Sequence, residues 1–303
     1  MSVCGWLLIV LVAGGLPPAY AQNKEDSAES AQVAANEARG SVVSGLGEQK
    51  LSERFPEAAL WLDLEGGART LALFWPGYEA PARGGLIILA DEGGNAESGL
   101  TGALARELAQ RNFAVLTLGL ESPSQALEAV LEQPVEAPQL DSAPSDRRSS
   151  AISPATIDVM TSETGDELEE AYRERIRKQL VAGVSALEKH GQELVAVVGI
   201  GRGSNHVVLN AAELGGSPAM IWVSPRFYPK DASQLAVALT KASVSRILEL
   251  SSSAEYEQRR AGLKRARVEG FNLQLMSSGD LSSPRNGKAL AGRISAWLKP
   301  KAQ

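Results

Sequence analysis

Beyond residue 21 this 303-residue chain has no cysteine; its single one is Cys4. That excludes a disulfide framework, a zinc–thiolate site, an iron–sulfur cluster and a cysteine nucleophile from the mature protein. Cys4 has no Leu-x-x-Cys context, so it does not read as a lipoprotein acylation site. Histidine is almost as scarce, with His190 and His206 alone. Any chemistry that needs an imidazole must use one of these two. Basic charge is not in excess either: 30 Lys and Arg stand against 36 Asp and Glu, a formal net charge of −6. Nothing in that balance suggests a nucleic-acid surface.

Long apolar runs are also missing. The longest, "WLLIVLVAGGL" near the start, is too short to span a bilayer comfortably. "PPAYAQ" follows it, with Ala19 and Ala21 in the A-x-A arrangement of a cleaved export signal. The expectation is a signal peptide over 1–21, cleavage after Ala21, and a soluble mature protein in the periplasm. One departure from the pattern is "MSVCG", which has no Lys or Arg. An uncleaved membrane anchor is the alternative.

Residues 22–45 are small and polar, without an aromatic side chain, and read as a flexible leader. Residues 121–165 carry eight acidic against two basic residues, and five prolines interrupt them. They read as a mobile acidic insertion, with a short helix possible at 124–132. Either a partner contacts this insertion or it is simply a solvated loop. The rest, 46–303, is long enough for one large domain.

Within that domain the pattern alternates. "ALWLDLEGGARTLALFW" predicts a hairpin, Ala59–Leu64 and Thr70–Trp75, around Gly66 and Gly67. Strands follow at 84–90, 113–120, 194–198, 219–224, 244–250 and 271–276. Helices are expected at 100–110, 166–190, 203–214, 231–241, 254–267 and 287–298. A hairpin followed by repeated strand–helix units means an α/β fold: a mostly parallel sheet with helices on both faces. Continuous apolar runs such as "LIIL" and "VAVV" suit strands buried on both sides.

The chemistry-bearing stretch is "LVAVVGIGRGSNHVVL", residues 194–209. Strand, glycine turn and helix make the setting of the nucleophile turn G-x-S-x-G, but the middle position is Gly201. With "LIILADEGGN" before it and "RILELSSSAEY" and "NLQLMSSGDLSSP" after it, the order of landmarks resembles the α/β-hydrolase superfamily over residues 55–300. The whole resembles a degenerate secreted branch, the uncharacterised family called domain of unknown function 3530. The resemblance implies a fold, not an activity.

A serine hydrolase needs an activated oxygen, a base and an orienting acid. Gly201 supplies no oxygen, and residues 276–284 contain no histidine. His190 ends the long helix, where a cation is favoured. His206 lies in the first turn after the glycines, as a pocket group or as packing. Glu255 stands where the acid belongs, or is a solvated helix-start residue. Around the turn, Gly201, Arg202, Ser204 and His206, with Asp91, Glu92, Gly93, Gly94, Asn95 and Glu255, form a candidate ligand pocket. The backbone N–H of Arg202, facing the Glu92–Gly94 loop, would make an anion site.

Three readings follow. The preferred one is a non-catalytic protein that keeps a hydrolase scaffold to bind a small polar or anionic ligand or an envelope protein, with no cofactor. The second is a divergent hydrolase that uses Ser204, Ser277 or Ser278. The third is a nucleotide-binding protein, for which "GIGRGS" misses G-x-G-x-x-G at Ser204 and only Arg226 suggests a phosphate contact. The helix carrying Arg259, Arg260, Lys264, Arg265 and Arg267 either faces an anionic surface or is a solvated face.

Overall fold

The computed structural model describes residues 46–134, 158–242, 244–252, 255–277 and 280–299, with the side chains of 158–163 and Glu255 excepted. The expected signal peptide, the leader and residues 135–157 of the expected insertion lie outside these. All described residues belong to one compact unit, Val42–Gln303.

Eight strands form one sheet: β1 (Ala59–Asp63), β2 (Arg69–Trp75), β3 (Gly85–Glu92), β4 (Ala114–Leu120), β5 (Leu194–Ile200), β6 (Ala219–Val223), β7 (Ile247–Ser251) and β8 (Phe271–Leu275). Their spatial order is β1-β2-β4-β3-β5-β6-β7-β8. The expected hairpin pairs β1 with β2, and β2 runs antiparallel to β4; every other pairing is parallel.

Alternation along the strands feeds two cores. On β3, Ile87 and Leu89 face one side, with Val197 and Trp222. Leu86 and Ile88 face the other, with Val198, Ile200, Ile221 and Val223. The first side is covered by α4 (Asp158–Lys189), α5 (Gly203–Leu209) and α6 (Pro229–Lys241), through Ile176, Leu180, Leu187, Val207, Leu235 and Leu239. The second is covered by α2 (Leu100–Ala109) and α8 (Gly287–Trp297), through Leu104, Leu108, Leu290 and Ile294. Burial on both faces is the reason these strands read as continuous apolar runs rather than as alternation. Helix α7 (Glu255–Arg265) connects β7 to β8.

Two local readings are corrected. A helix not foreseen, α1 (Glu48–Arg54), precedes the hairpin. It is held by buried Glu48, which accepts from the Thr70 hydroxyl and the Leu71 N–H, both at 3.0 Å. The long helix starts at Asp158 rather than 166. The short helix foreseen at 124–132 is α3 (Gln125–Leu131), with the Ser124 side chain accepting the Leu127 N–H. Leu127 and Leu131 bury against Tyr228. That tertiary burial offsets the ordering cost.

The topology positions the site. Parallel strands send their carboxyl ends to one edge, and β3 is the switch point, flanked by β4 on one side and β5 on the other. Ligand sites of open α/β sheets lie in the crevice at such a point. The loops after β3, β4, β5 and β6 meet there.

Candidate functional site

At the end of β5 the backbone turns sharply into α5. Gly201 sits at φ +54°, its N–H bonded to the Val223 carbonyl at 3.0 Å and its carbonyl accepting from Arg226 N–H at 3.0 Å. Positive φ is the backbone state that a side chain resists and glycine accepts. Gly203 is required for a different reason: a Cβ there would lie 2.8 Å from the Leu89 carbonyl oxygen. Helix α5 therefore packs directly on the β3 backbone.

The space above Gly201 is filled. A Cβ at this position would run into the carboxylate of Asp91, at the end of β3. Asp91 Oδ1 accepts the Arg202 N–H at 2.9 Å and the Glu92 N–H at 2.9 Å. In an α/β-hydrolase the N–H after the nucleophile and one from the loop after β3 form the oxyanion hole. Here that pair of donors converges on an oxygen of the chain itself. From the end of β6, Arg226 Nη2 bridges both carboxylate oxygens, at 2.7 Å and 2.8 Å.

Gly93, Gly94 and Asn95 do not join them. The Gly93 N–H goes to Leu120 O and that of Gly94 to Asp91 O, both at 2.8 Å. Asn95 Oδ1 takes the N–H groups of Glu97 and Ser98. These residues close the loop onto β4 and α2, so within this loop Glu92 alone contributes a backbone donor to the site.

The Arg202 side chain turns away from Asp91 and lies over the Tyr228 ring, 4.1 Å from its centroid. It pairs with Glu132, just after α3. Burial lowers its pKa. Its Nε and Nη1 are buried and have no hydrogen-bond partner among the described residues. The Tyr228 hydroxyl donates to Glu92 at 2.6 Å. Burial, reinforced by that carboxylate acceptor, raises the Tyr228 pKa. Tyr172 donates to the Glu121 carbonyl at 2.8 Å. Its pKa too is raised, first by burial and then by Glu92. Sequence reasoning missed Tyr172, Tyr228 and Glu132, since nothing short-range links residues so far apart along the chain.

Ser204 and His206 face inward rather than into the crevice, which corrects their placement in a pocket. The Ser204 hydroxyl donates to the Gly199 carbonyl at 2.8 Å, and the residue has no exposed surface. His206 is 1% exposed and lies edge-on to Tyr172 and Tyr228. Burial, with Arg173 and Arg202 nearby, pushes its pKa down to about 3. A neutral, enclosed imidazole has no access to a substrate at the turn. His190 follows α4, with Nδ1 2.8 Å from Ala186 O and its ring against Phe74.

The acid side differs as well. Glu255 opens α7, and its side chain lies outside the described residues. The carboxylate observed is Glu249, fully buried in the middle of β7. Arg259 from α7 grips it through two nitrogens, at 2.6 Å and 3.0 Å. Arg259 therefore pairs inward, and does not belong to a solvated face or to one turned to an anionic surface. A glutamate inside the apolar stretch "RILELS" was the available sign of a buried pair. Among the described residues no group of His, Cys, Asp and Glu is arranged to hold a metal ion, and no helix is long and apolar enough to cross a membrane.

This strand order, with the turn after β5 and the loops gathered over it, defines an α/β-hydrolase fold. Solved structures agree on that class. The esterase domain of a Rhodothermus marinus protein superposes with a TM-score of 0.52 at 11% identity, covering 79% of this chain and 96% of its own. Dienelactone hydrolase from Anabaena variabilis gives 0.52 at 15% identity, covering 79% and 95%. A soluble variant of monoglyceride lipase from Saccharomyces cerevisiae gives 0.52 at 10%, covering 79% and 94%. At such identities the likeness is one of fold. The chain belongs to the family described as protein of unknown function DUF3530, whose sequence profile matches residues 5–299. No curated protein matches this sequence.

Proposed function

We propose that this chain is an exported, non-catalytic protein that uses the hydrolase scaffold for binding in the periplasm. The observation that carries the reading is Asp91 over Gly201. Acyl transfer needs a nucleophilic oxygen at the turn and free N–H donors for the developing oxyanion. Gly201 supplies no oxygen, and the two N–H groups are already bonded to a carboxylate. An anionic side chain in that position repels the negative charge that an ester's transition state would develop. Export rests on the apolar run and the "AYA" before Gln22.

The esterase and lipase names of its fold relatives favour the alternative, a divergent esterase. Against it stand Ser204, spent on Gly199, and His206, buried and neutral. The deciding experiment is a panel of short-chain esters with the purified mature protein. No turnover above background is expected. Turnover lost on Ser204→Ala, Ser277→Ala or Ser278→Ala would overturn the reading in favour of the divergent esterase, and turnover that survives all three but is lost on changing Asp91 would overturn it and place the chemistry at Asp91.

A further inference from the structure

We propose that the place now filled by the Asp91 carboxylate is a carboxylate-binding site, which the chain's own side chain holds shut until a ligand carboxylate exchanges with it. The inference rests on the binding-protein reading above and names the ligand's chemistry.

The donor set is that of a carboxylate receptor. Oδ1 receives two backbone N–H groups and a guanidinium nitrogen, and Oδ2 receives the same guanidinium nitrogen. Charge-assisted bonds of this kind are the strong ones, and they favour an ionised oxygen pair over a neutral carbonyl. The donors come from the end of β3 and from the residues that follow β5 and β6, so the sheet fixes the spacing of the two backbone donors. Beneath them Gly201 leaves room only because it lacks a side chain. The turn thus keeps free the space that the Asp91 carboxylate fills.

Exchange is open on the outer side. The Asp91 side chain is 33% exposed and that of Arg226 54% exposed. Rotation of Asp91 toward water returns its charge to solvent, and an incoming carboxylate takes over the same donors. The bonds broken and made are alike, so what protects the closed state is the high effective concentration of a tethered group. A ligand overcomes it with contacts of its own.

The test uses the mature protein and trifluoroacetate as a carboxylate probe, followed by fluorine NMR. Asp91→Ala vacates the site and is expected to bind the probe about tenfold or more tighter than wild type. Adding Arg226→Ala should abolish that gain. Asp91→Asn, which keeps the shape and removes the charge, is the second variant if Asp91→Ala fails to fold. It should show a smaller gain that Arg226→Ala again removes. Equal binding by wild type and the folded Asp91 variants, or a gain that survives the loss of Arg226, overturns the proposal. Ester turnover is not read in this assay, so the proposal and the non-catalytic reading fail separately.

Discussion

Asp91 Oδ1 lies 2.9 Å from the backbone nitrogen of Arg202, above a Gly201 whose absent Cβ leaves the carboxylate its room. Two independent constraints therefore meet at residue 201: a positive φ and an occupied space. Each predicts its own response to substitution.

Gly201→Ser should lower stability. The backbone term alone is about 1–3 kcal/mol, and displacement of Asp91 adds to it. Urea unfolding of the single variant and of Gly201→Ser with Asp91→Gly separates the two, since the second change relieves only the collision. Neither variant should hydrolyse esters well, because no histidine follows β8 to activate the new hydroxyl. Efficient turnover by Gly201→Ser alone would contradict the geometry.

The Glu249–Arg259 pair predicts a larger effect. Removing one partner from a buried ion pair leaves an uncompensated charge and costs about 3–5 kcal/mol. Arg259→Met and Glu249→Leu should each be severely destabilising, and the double variant much less so than their sum. Additive losses in a denaturant-based double-mutant cycle would show that the two do not act as a unit.

His206 makes stability depend on pH. Its ordinary pKa of 6.5 applies in the unfolded chain, against about 3 in the folded one. Above 6.5 the ring is neutral in both states and imposes no penalty. Below it the unfolded state binds a proton that the folded state refuses. Stability is then lost by about 1.4 kcal/mol per pH unit, down toward pH 3. His206→Phe should remove this slope between pH 6 and 4 while leaving those of the carboxylates. Identical slopes in the two proteins would mean that the ring is not enclosed in solution.

Export is checked at the amino terminus. Protein recovered from the periplasm should begin at Gln22, while a chain still carrying Met1 would point to a retained anchor.

Much of the fold was legible in the sequence. Runs such as "LIIL" and the periodic Leu100, Leu104 and Leu108 report short-range periodicity, which is set by strand and helix geometry. The long helix was placed but started late, since its first turns lie in an acidic, proline-flanked segment that composition marks as loop. Helix α1 was missed altogether, because what secures it is Glu48 reaching Thr70 across more than twenty residues.

The site divides in the same way. That residue 201 is glycine, that no histidine follows His206, and that no cysteine follows Cys4 are facts of the sequence alone, and they take away the groups of a Ser-His or Cys-His site at these places. The occupant of the vacancy was decided by tertiary structure. Asp91 lies at the end of β3, and Arg202 and Arg226 follow β5 and β6, three strands that only the sheet order brings together. The sequence placed Asp91 and Arg202 in one candidate pocket, but whether the Asp91 charge meets a backbone N–H, a guanidinium or water depends on long-range register. The same holds for Arg259, one arginine among several on its helix. Burial beside Glu249 separates it from the others, and burial is a property of the packed chain.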